Sequence, residues 1–286
     1  MRWVATVISI CLLAACGPKA VANAPPKTSP SPKATASKPT PASSTTHVFL
    51  IVMENRSYSQ VIDSPYISKL AGQYGVATNY HAVASPSLPN YLALTSGQTW
   101  GITDNNFHDL PAVGLGAQLT EAGLDWRAYM ENMDNGCFNS PPPYALKHNP
   151  FAYYGSACPP QVTSLANWTT NMAGTAPRFV WITPDMCHDG HDCSTAVADD
   201  WLSQMVPVIQ DLSAWKNNGL LIITWDEGAG GDDQVLTLVV RPNSIARKSN
   251  QPYDHYSLLA TIEDQLGLAR LGQAAQATPM ADLVRS

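Results

Sequence analysis

Four continuous apolar runs constrain the fold of this chain more than any other feature of its sequence. The runs cover residues 47–53, 178–183, 220–225 and 234–240, and they are rich in leucine and β-branched residues. Apolar segments of this length without polar alternation are typical of strands that are buried on both faces of a sheet. The sequence therefore predicts four strands at the centre of a covered sheet.

Stretches with helical character lie between these predicted strands. They cover residues 64–74, 88–95, 119–122, 196–215 and 256–266. Buried strands that alternate with helices indicate a parallel sheet with helices on its faces. We therefore expect an α/β protein, a three-layer α/β/α sandwich with a largely parallel central sheet. No linker interrupts residues 47–286, so we expect one domain with a single core there.

Polar residues directly follow three of the predicted strands. Glu54 and Asn55 follow the first, Asp185 comes after the second, and Asp226 and Glu227 follow the third. Each residue alone also fits a polar loop or a helix cap. In open α/β sheets, however, ligands bind beyond the carboxyl ends of the strands, where these side chains would meet. Because several carboxylates in one crevice repel each other, the pattern predicts a divalent metal ion.

Ser87 is the candidate nucleophile. It precedes Leu88-Pro89-Asn90 and an apolar helical stretch that ends at Gly97, which predicts an N-cap position for its side chain. A hydroxyl there lies near backbone N–H groups that suit a phosphate, and a metal ion would activate it further. An ordinary serine cap has the same local sequence, so spacing alone leaves both interpretations open.

Residues 1–15 have the pattern of a signal peptide. Arg2 precedes a largely apolar stretch over residues 3–15, which is too short to span a bilayer as a mature helix. Residues 13–16 read Leu-Ala-Ala-Cys and resemble a bacterial lipobox, with Cys16 as the lipidated residue. An ordinary signal peptide cleaved near Ala15 is the alternative. We expect a protein of the bacterial cell envelope, anchored to a membrane by its N-terminal lipid and facing outside the cytoplasm.

Residues 16–46 are expected to form the lipidated cysteine and a disordered linker. Residues 17–46 hold seven prolines and four lysines, with no acidic and no aromatic residue, so they cannot bury a core. The whole chain has a formal net charge of -6; without Arg2 and the four linker lysines, residues 47–286 carry 11 basic and 22 acidic residues, or -11. With no basic block in the sequence, we expect no nucleic-acid partner.

The four cysteines of the expected domain suggest disulfides. Pairing of sequence neighbours gives Cys137–Cys158 and Cys187–Cys193, which agrees with an exported protein. A zinc site is the alternative. Its spacing is poor, because no C-x2-C pair is present and the nearest histidines lie inside the segment between Cys187 and Cys193. We therefore favour the two disulfides.

Six short motifs resemble the phosphoesterase family, which contains acid phosphatases and phospholipases C of the alkaline-phosphatase-like superfamily. The motifs lie in order at residues 52–57, 86–97, 147–151, 189–192, 224–227 and 255–259. The resemblance extends from residue 47 to about residue 268, and it is closest to the compact secreted acid phosphatases. It implies an alkaline-phosphatase-like fold and a hydrolase that acts on phosphoric ester bonds.

The resemblance also implies the residues that hold the metal and attack the substrate. Glu54, Asn55, Asp226 and Glu227 match metal-binding positions of the family. Ser87 matches the nucleophile that becomes a phosphoseryl intermediate. The identity and number of the metal ions stay open, since oxygen ligands suit Mg, Ca or Mn and histidines suit Zn or Fe.

Further polar positions match residues that assist the reaction. Asn90 matches a donor to a phosphoryl oxygen. Asp189, His191 and His255 match positions that bind a second metal in two-metal relatives, or assist the phosphate and the leaving group in one-metal relatives. We expect Asp189 among the metal ligands and the two histidines among the catalytic residues.

Two further segments of the chain differ in how well they match the family pattern. Lys147 and His148 match a segment that lies near the substrate. Asp185 and His188 stand where relatives often have asparagine, which leaves open whether this loop adds a metal ligand.

We therefore expect a monomeric, metal-dependent phosphomonoesterase of the acid phosphatase type, with a small phosphate ester, including phosphoinositides, as its substrate. A phosphodiesterase or phospholipase C of the same fold is one alternative. A non-catalytic surface lipoprotein whose acids hold a structural cation is another. The first two differ only in how large a leaving group the site accepts.

Overall fold

The computed structural model of the protein describes Trp3 and residues 46–285. The predicted signal peptide, the lipidation site at Cys16 and the linker lie outside the described residues, except for Trp3 and Thr46. Residues 39–286 cluster into one unit, which contains all four predicted strands. No helix among residues 46–285 combines the length and the apolar character needed to cross a membrane.

The described part of the chain contains ten strands in two sheets. The strands are β1 (His47–Met53), β2 (Gly75–Ala77), β3 (Tyr80–His81), β4 (Trp126–Met130), β5 (Val162–Ser164), β6 (Phe179–Thr183), β7 (Gly219–Trp225), β8 (Thr237–Val240), β9 (Arg247–Ser249) and β10 (Tyr253–Asp254). Eight of them form the central sheet in the order β5-β4-β6-β1-β7-β8-β2-β9. The remaining two, β3 and β10, pair with each other.

The central sheet is largely parallel, as the sequence predicts. β1 pairs in parallel with both β6 and β7, and β4 pairs in parallel with β5 and β6. β8 is antiparallel to β7 and to β2. The short connection over residues 226–236 explains this reversal, because it holds no helix and a parallel return requires a longer crossover.

Helices cover the sheet in two packed groups. The helices are α1 (Tyr58–Val61), α2 (Pro65–Gln73), α3 (Ser87–Ser96), α4 (Leu115–Glu121), α5 (Trp168–Met172), α6 (Thr195–Gln210), α7 (Ser213–Asn218) and α8 (His255–Leu266), with short 3-10 turns at Leu146–His148, Pro150–Ala152, Leu165–Asn167 and Gly272–Ala275. α3 contacts α4 and α8, whereas α6 contacts α2 and α7. Since α7 and α8 both contact β1, whose residues after His47 are fully buried, the three-layer α/β/α prediction is confirmed.

The structure differs from the predicted elements at several places. β2, β4 and β5 were not predicted: they are short, and Arg127 interrupts the apolar character of β4. The predicted helix over residues 196–215 is the two helices α6 and α7, because the chain turns at Asp211 and continues through Leu212 in an extended conformation. Only the second half of the fourth apolar run forms a strand, β8.

Candidate active site

The acidic residues meet because their strands are neighbours in the sheet. β1 and β7 pair in parallel up to the register Met53 with Trp225, so the residues that follow both strands emerge at the same edge. The backbone N–H of Asp226 donates to the Met53 carbonyl over 3.0 Å, which continues this pairing by one step. Glu54 and Asp226 therefore lie side by side and are fully buried.

Ser87 lies against two of these carboxylates. Its Oγ is 3.2 Å from Glu54 Oε2 and 3.1 Å from Glu227 Oε1. Ser87 is the first helical residue of α3 rather than the N-cap that the sequence predicts, because Pro86 occupies the N-cap position. The side chain of Asn105 accepts a hydrogen bond from the Leu88 N–H over 3.0 Å and thereby caps the helix beside the hydroxyl. No local sequence signal connects Asn105 with this helix.

Asn55 and Asp226 complete a group of oxygen atoms around the serine. The Asn55 N–H donates to Asp226 Oδ1 over 3.2 Å, and Asn55 adopts a left-handed backbone conformation with φ of 47°. One terminal atom of its amide lies 3.3 Å from Glu54 Oε2 and 3.0 Å from Glu227 Oε1. The amide nitrogen at this position would donate to both carboxylates, whereas the amide oxygen would join them as a cation ligand.

The crowded carboxylates have strongly shifted pKa values. Burial raises the pKa of Asp226 well above its usual range, and the charges of Glu54 and Glu227 raise it further. Burial and the Glu54 charge also raise the pKa of Glu227, although hydrogen bonds from Ser85 and Ser87 oppose this shift. A cation would remove the repulsion that causes part of both shifts.

The donor set fits a hard divalent cation. Glu54 Oε2 and Glu227 Oε1 both lie within 3.2 Å of the Ser87 hydroxyl. All three atoms are oxygens. Asp226 Oδ2 is buried and has no hydrogen-bond partner within the described residues. An unpartnered buried carboxylate oxygen is costly unless a cation or a proton compensates it. The residues predicted as ligands around Ser87 therefore suit Mg, Ca or Mn by their chemistry.

His148 connects Glu54 with Asp189. Its Nε2 lies 2.9 Å from Glu54 Oε1 and its Nδ1 lies 3.2 Å from Asp189 Oδ2, and all three side chains are fully or almost fully buried. The Tyr91 ring stacks on the imidazole with centroids 5.2 Å apart. Asp189 thus joins the site through His148, and its role as a metal ligand stays a prediction.

This buried chain of charges sets the pKa of each member. Burial opposes ionisation of His148, but the charges of Glu54 and Asp189 outweigh it and raise the pKa to about 9. For Glu54, burial is likewise outweighed by the His148 charge, so the pKa falls to about 2. Burial dominates at Asp189 and raises its pKa to about 6. The two neighbouring carboxylates thus favour the charged form of His148, and that charge compensates Glu54 inside the protein.

Lys147 and His191 contact each other beside this chain. Lys147 Nζ lies 3.1 Å from His191 Nε2, and His191 Nδ1 lies 2.7 Å from Asp192 Oδ1. With Nδ1 protonated toward the carboxylate, Nε2 is free to accept from the lysine. The Lys147 charge is close enough to lower the pKa of both Glu54 and Glu227. Lys147 is therefore the cation that lies beside the site, and Asp192 orients its histidine partner.

His255 and Asn90 lie at the site, and their polar atoms form hydrogen bonds with other groups of the protein. His255 Nε2 donates to the Asp226 carbonyl over 2.6 Å, Nδ1 accepts from the Tyr80 hydroxyl over 2.9 Å, and burial lowers the pKa to about 4. Asn90 Oδ1 accepts from the N–H groups of Val83 and Ala84, and its Nδ2 donates to the Ala84 carbonyl. His255 thereby holds the backbone of Asp226, and Asn90 holds the segment that leads to Ser87. The direct roles of both residues in the reaction stay predictions.

The cysteines form the two predicted disulfides, Cys137–Cys158 and Cys187–Cys193. The zinc alternative is therefore wrong. The second disulfide closes the loop that carries Asp189 and His191, and the His191 N–H donates to Asp189 Oδ1 over 2.7 Å. The disulfide and this hydrogen bond together fix the positions of Asp189 and His191 relative to each other.

A second group of possible ligands lies after β4 and β6. Atoms of Glu131, Asp185 and His188 approach within 4.8 Å of one another. Their hydrogen bonds are largely satisfied inside the group: His188 Nδ1 lies 2.9 Å from Glu131 Oε2, and Asp185 Oδ1 accepts from the His188 N–H. The sequence left a ligand role for Asp185 and His188 open, and it gave no signal for Glu131.

The fold places the protein in the alkaline-phosphatase-like class of α/β proteins. A protein of the alkaline phosphatase superfamily from Vibrio parahaemolyticus superposes with a TM-score of 0.58 at 14% identity, over 80% of this chain and 68% of the other. Murine ectonucleotide pyrophosphatase/phosphodiesterase 5 superposes with a TM-score of 0.57 at 10% identity, over 79% and 96%. At these identities the likeness concerns the fold alone.

Within this class, the chain belongs to the Phosphoesterase family, whose model matches residues 61–247. A phosphatidylinositol-3-phosphatase of Mycobacterium tuberculosis is 32% identical over 83% of this chain and 82% of its own length. A phosphate-repressible acid phosphatase of Penicillium chrysogenum is 27% identical over 78% of this chain and 59% of its own length. The resemblance found in the sequence is confirmed, and with it the class of hydrolases that act on phosphate esters.

Proposed function

We propose that the protein is a metal-dependent phosphomonoesterase of the acid phosphatase type that works through a phosphoserine intermediate. The observation that carries this proposal is the position of Ser87, at the start of α3 and within 3.2 Å of both Glu54 and Glu227. The dipole of α3 favours a phosphate at the N-terminus of the helix, beside the Ser87 hydroxyl. The surrounding oxygen atoms suit a cation at the same place.

The residues divide the chemistry among them. Glu54, Asn55, Asp226 and Glu227 would hold a divalent cation, which when bound compensates negative charge on the phosphoryl oxygens. Ser87 Oγ attacks phosphorus and passes its proton to the Glu227 carboxylate, to which it already donates over 3.1 Å. The bond from phosphorus to the ester oxygen breaks as the bond to Oγ forms.

The remaining charged residues bind the phosphoryl group and keep the site neutral. Lys147, held through His191, supplies positive charge to the phosphoryl oxygens, and this pair is the proton source for the leaving oxygen. His148 is the internal counter-ion of Glu54. His255 fixes the Asp226 backbone, and water later hydrolyses the phosphoseryl group. We assign Asp189 to orienting His148 and His191 in addition to its predicted role as a ligand.

The names of the relatives support a small phosphate ester as substrate, including a phosphoinositide. One relative is named a phosphatidylinositol-3-phosphatase and others are named acid phosphatases. We further propose an exported, monomeric protein with a cleaved signal peptide and a lipid on Cys16. The two disulfides support export. Palmitate labelling of wild type and Cys16→Ser tests the anchor, and equal labelling of both would contradict it.

Hydrolysis of p-nitrophenyl phosphate by purified protein tests the catalytic proposal. We expect Ser87→Ala to lower kcat at least about 1,000-fold, because the nucleophile is lost. The matched control Ser203→Ala, which removes a hydroxyl from half-buried Ser203 on α6, should keep wild-type activity. Acid quenching during turnover should trap phosphate on wild type and not on Ser87→Ala.

Two further measurements separate this proposal from its rivals. Chelation should abolish the hydrolysis and a divalent cation should restore it. Faster turnover of bis-p-nitrophenyl phosphate than of the monoester would indicate a phosphodiesterase instead. Activity that survives both chelation and Ser87→Ala would contradict the proposed site, and no hydrolysis of either ester with any divalent cation would indicate a binding protein.

A further inference from the structure

Two of the five phenylalanines are exposed, and they contact each other. Phe49, Phe151 and Phe179 are fully or almost fully buried, whereas Phe107 and Phe138 are each 45% exposed. The rings of Phe107 and Phe138 meet edge to face, with centroids 5.6 Å apart. A single exposed apolar side chain is ordinary, but a contiguous apolar patch indicates a contact surface. We call these two side chains the aromatic pair.

Phe107 is held close to the nucleophile. Asn105, two residues before it, accepts the N–H of Leu88 over 3.0 Å, and Leu88 directly follows Ser87. The Phe107 ring lies on the ring of Tyr153, with centroids 5.1 Å apart. Tyr153 is buried in the same apolar cluster as Leu88. Phe107 therefore reaches the surface beside the start of α3.

Phe138 is held close to the proton source of the proposed function. Asn149 Nδ2 donates to Cys137 Sγ over 3.4 Å, and Lys147 precedes Asn149 by two residues. Residues 135–146 hold no charged side chain. The aromatic pair thus presents its apolar surface between the nucleophile and Lys147, on the side where the leaving oxygen takes its proton.

The tether and the site lie at opposite ends of β1. Thr46, the first described residue of the domain, directly precedes β1, and Glu54 directly follows it. The seven residues of β1 separate these ends by about 23 Å. The predicted linker over residues 17–46 could extend about 90 Å at most. A lipid on Cys16 would therefore hold the protein at a membrane without turning the site toward it.

We propose that the aromatic pair inserts into the surface of a lipid bilayer and turns the active site toward phosphate esters on lipid headgroups, an inference that rests on the proposed function. Phenylalanine is typical of protein faces that lie at the boundary between acyl chains and headgroups. Asp104 and Asp109 flank Phe107, and residues 101–120 hold no lysine or arginine. The attraction is therefore apolar, and the partner that fits is a zwitterionic surface that carries few phosphoinositides.

A lipid and its soluble headgroup test this proposal, because both carry the same phosphomonoester. Phosphatidylinositol 3-phosphate is presented as a small fraction of phosphatidylcholine vesicles, and its deacylated headgroup is supplied in solution. In the full chain, Phe107→Ser combined with Phe138→Ser should lower kcat/KM on the vesicles about tenfold and change kcat/KM for the headgroup by less than about twofold. Phe138→Ser alone, which leaves Phe107 on Tyr153, should give a smaller loss on the vesicles only.

Two further variants serve as controls. Phe107→Trp combined with Phe138→Trp should keep the vesicle activity, because tryptophan also partitions into the membrane interface. Ile245→Ser removes a side chain that is 73% exposed. It follows β8, whose last residue Val240 pairs with Leu221 near the start of β7, so it lies toward the edge opposite the site. This variant should keep wild-type activity on both substrates.

The outcomes separate the aromatic pair from the proposed function. Equal losses on the vesicles and the headgroup, or no loss on the vesicles, would overturn the role of the aromatic pair while Ser87-dependent hydrolysis remained. A dimer that the double serine variant converts to a monomer, with vesicle activity unchanged, would assign the pair to a second copy of the chain and overturn the proposal. Headgroup hydrolysis that does not depend on Ser87 would instead contradict the proposed function.

Discussion

At the scale of single residues, His148 shows how the site tolerates buried acids. The imidazolium lies between Glu54 and Asp189, within 2.9 and 3.2 Å of their oxygens. Removal of one partner from a buried ion pair is more costly than the pair is worth, because an uncompensated charge remains. The stability of the apo-protein and the arrangement of its carboxylates therefore depend on the same side chain.

We predict that His148→Leu lowers the free energy of unfolding by about 3–5 kcal/mol. Urea denaturation in the presence of a chelator measures this loss without a contribution from bound metal. His108→Leu is the control, since His108 likewise lies close to a carboxylate, 2.8 Å from that of Asp104, but both side chains of this pair are partly exposed. That variant should change stability by at most about 1 kcal/mol. Equal losses in the two variants would show that burial of His148 is not the cause.

Glu263 supplies a prediction about pH. It is buried in α8, its Oε1 accepts the Leu271 N–H, and its Oε2 has no hydrogen-bond partner among the described residues. Burial raises its pKa from 4.5 to about 8. The unfolded chain thus loses this proton first, so wild-type stability should fall as the pH rises from about 4.5 to about 8.

Glu263→Gln should remove this part of the pH dependence. The amide can still accept the Leu271 N–H, but it does not ionise. We expect the difference in unfolding free energy between variant and wild type to grow with pH in favour of the variant, by at most about 1.4 kcal/mol per unit. Chemical denaturation at pH 5, 6, 7 and 8 measures it. A difference that stays constant over this range would contradict the shifted pKa.

Local sequence patterns predict the positions of some site residues but not of others. Glu54, Asp226 and Ser87 were predictable, because they follow buried strands or begin an apolar helix, and these local patterns determine where a side chain emerges. The contacts of His148 were not predictable in this way. They join residues from three distant segments, and no local pattern specifies which imidazole becomes the counter-ion of Glu54.

At the scale of elements, α3 is fixed at its C-terminal end by Gly97. This glycine has φ of 67°, and a Cβ there would lie 2.3 Å from the Leu271 carbonyl oxygen. The Gln273 N–H also donates to the Gly97 carbonyl over 2.8 Å. The helix that begins with the nucleophile is therefore joined directly to the segment after α8.

Gly97→Ala should destabilise the protein by clearly more than Gly123→Ala. Both glycines have φ of 67°, but a Cβ at Gly123 would meet nothing within 4 Å. The Gly123→Ala variant therefore reports the backbone strain alone, of about 1 kcal/mol, and the excess in Gly97→Ala reports the clash with Leu271. Thermal unfolding of both variants measures the difference, and equal values would show that the Leu271 segment moves away without cost.

The elements of the centre were predictable and those of the edges were not. β1, β6 and β7 are continuous apolar runs, because both of their faces are buried. β2 and β9 have only three residues each, and their sequences carry too little periodicity to identify them. The direction of β8 depends on the length of its connection and on pairing with β2, which are properties of the assembled sheet.

At the scale of the whole molecule, the candidate site belongs entirely to the unit of residues 39–286. Thr46 is its first described residue, and it accepts from Arg178 Nε over 2.8 Å and from Asn218 Nδ2 over 2.9 Å. A chain that begins at residue 39 keeps these contacts. We predict that it unfolds at the same midpoint as the full chain and has the same kcat/KM for p-nitrophenyl phosphate. A loss of more than about twofold in kcat/KM would show that residues 1–38 contribute to the site.

The order of the sheet separates the chemistry from its two margins. The site residues that follow strands come after β1, β6 and β7, which are adjacent at the middle of the eight strands, whereas β5 and β9 form the margins. Extra chain can be attached beyond either margin without displacing the strand ends that carry the acids. This chain spans 59% of the Penicillium relative, and a sheet of this order can take additional chain of that kind at its margins.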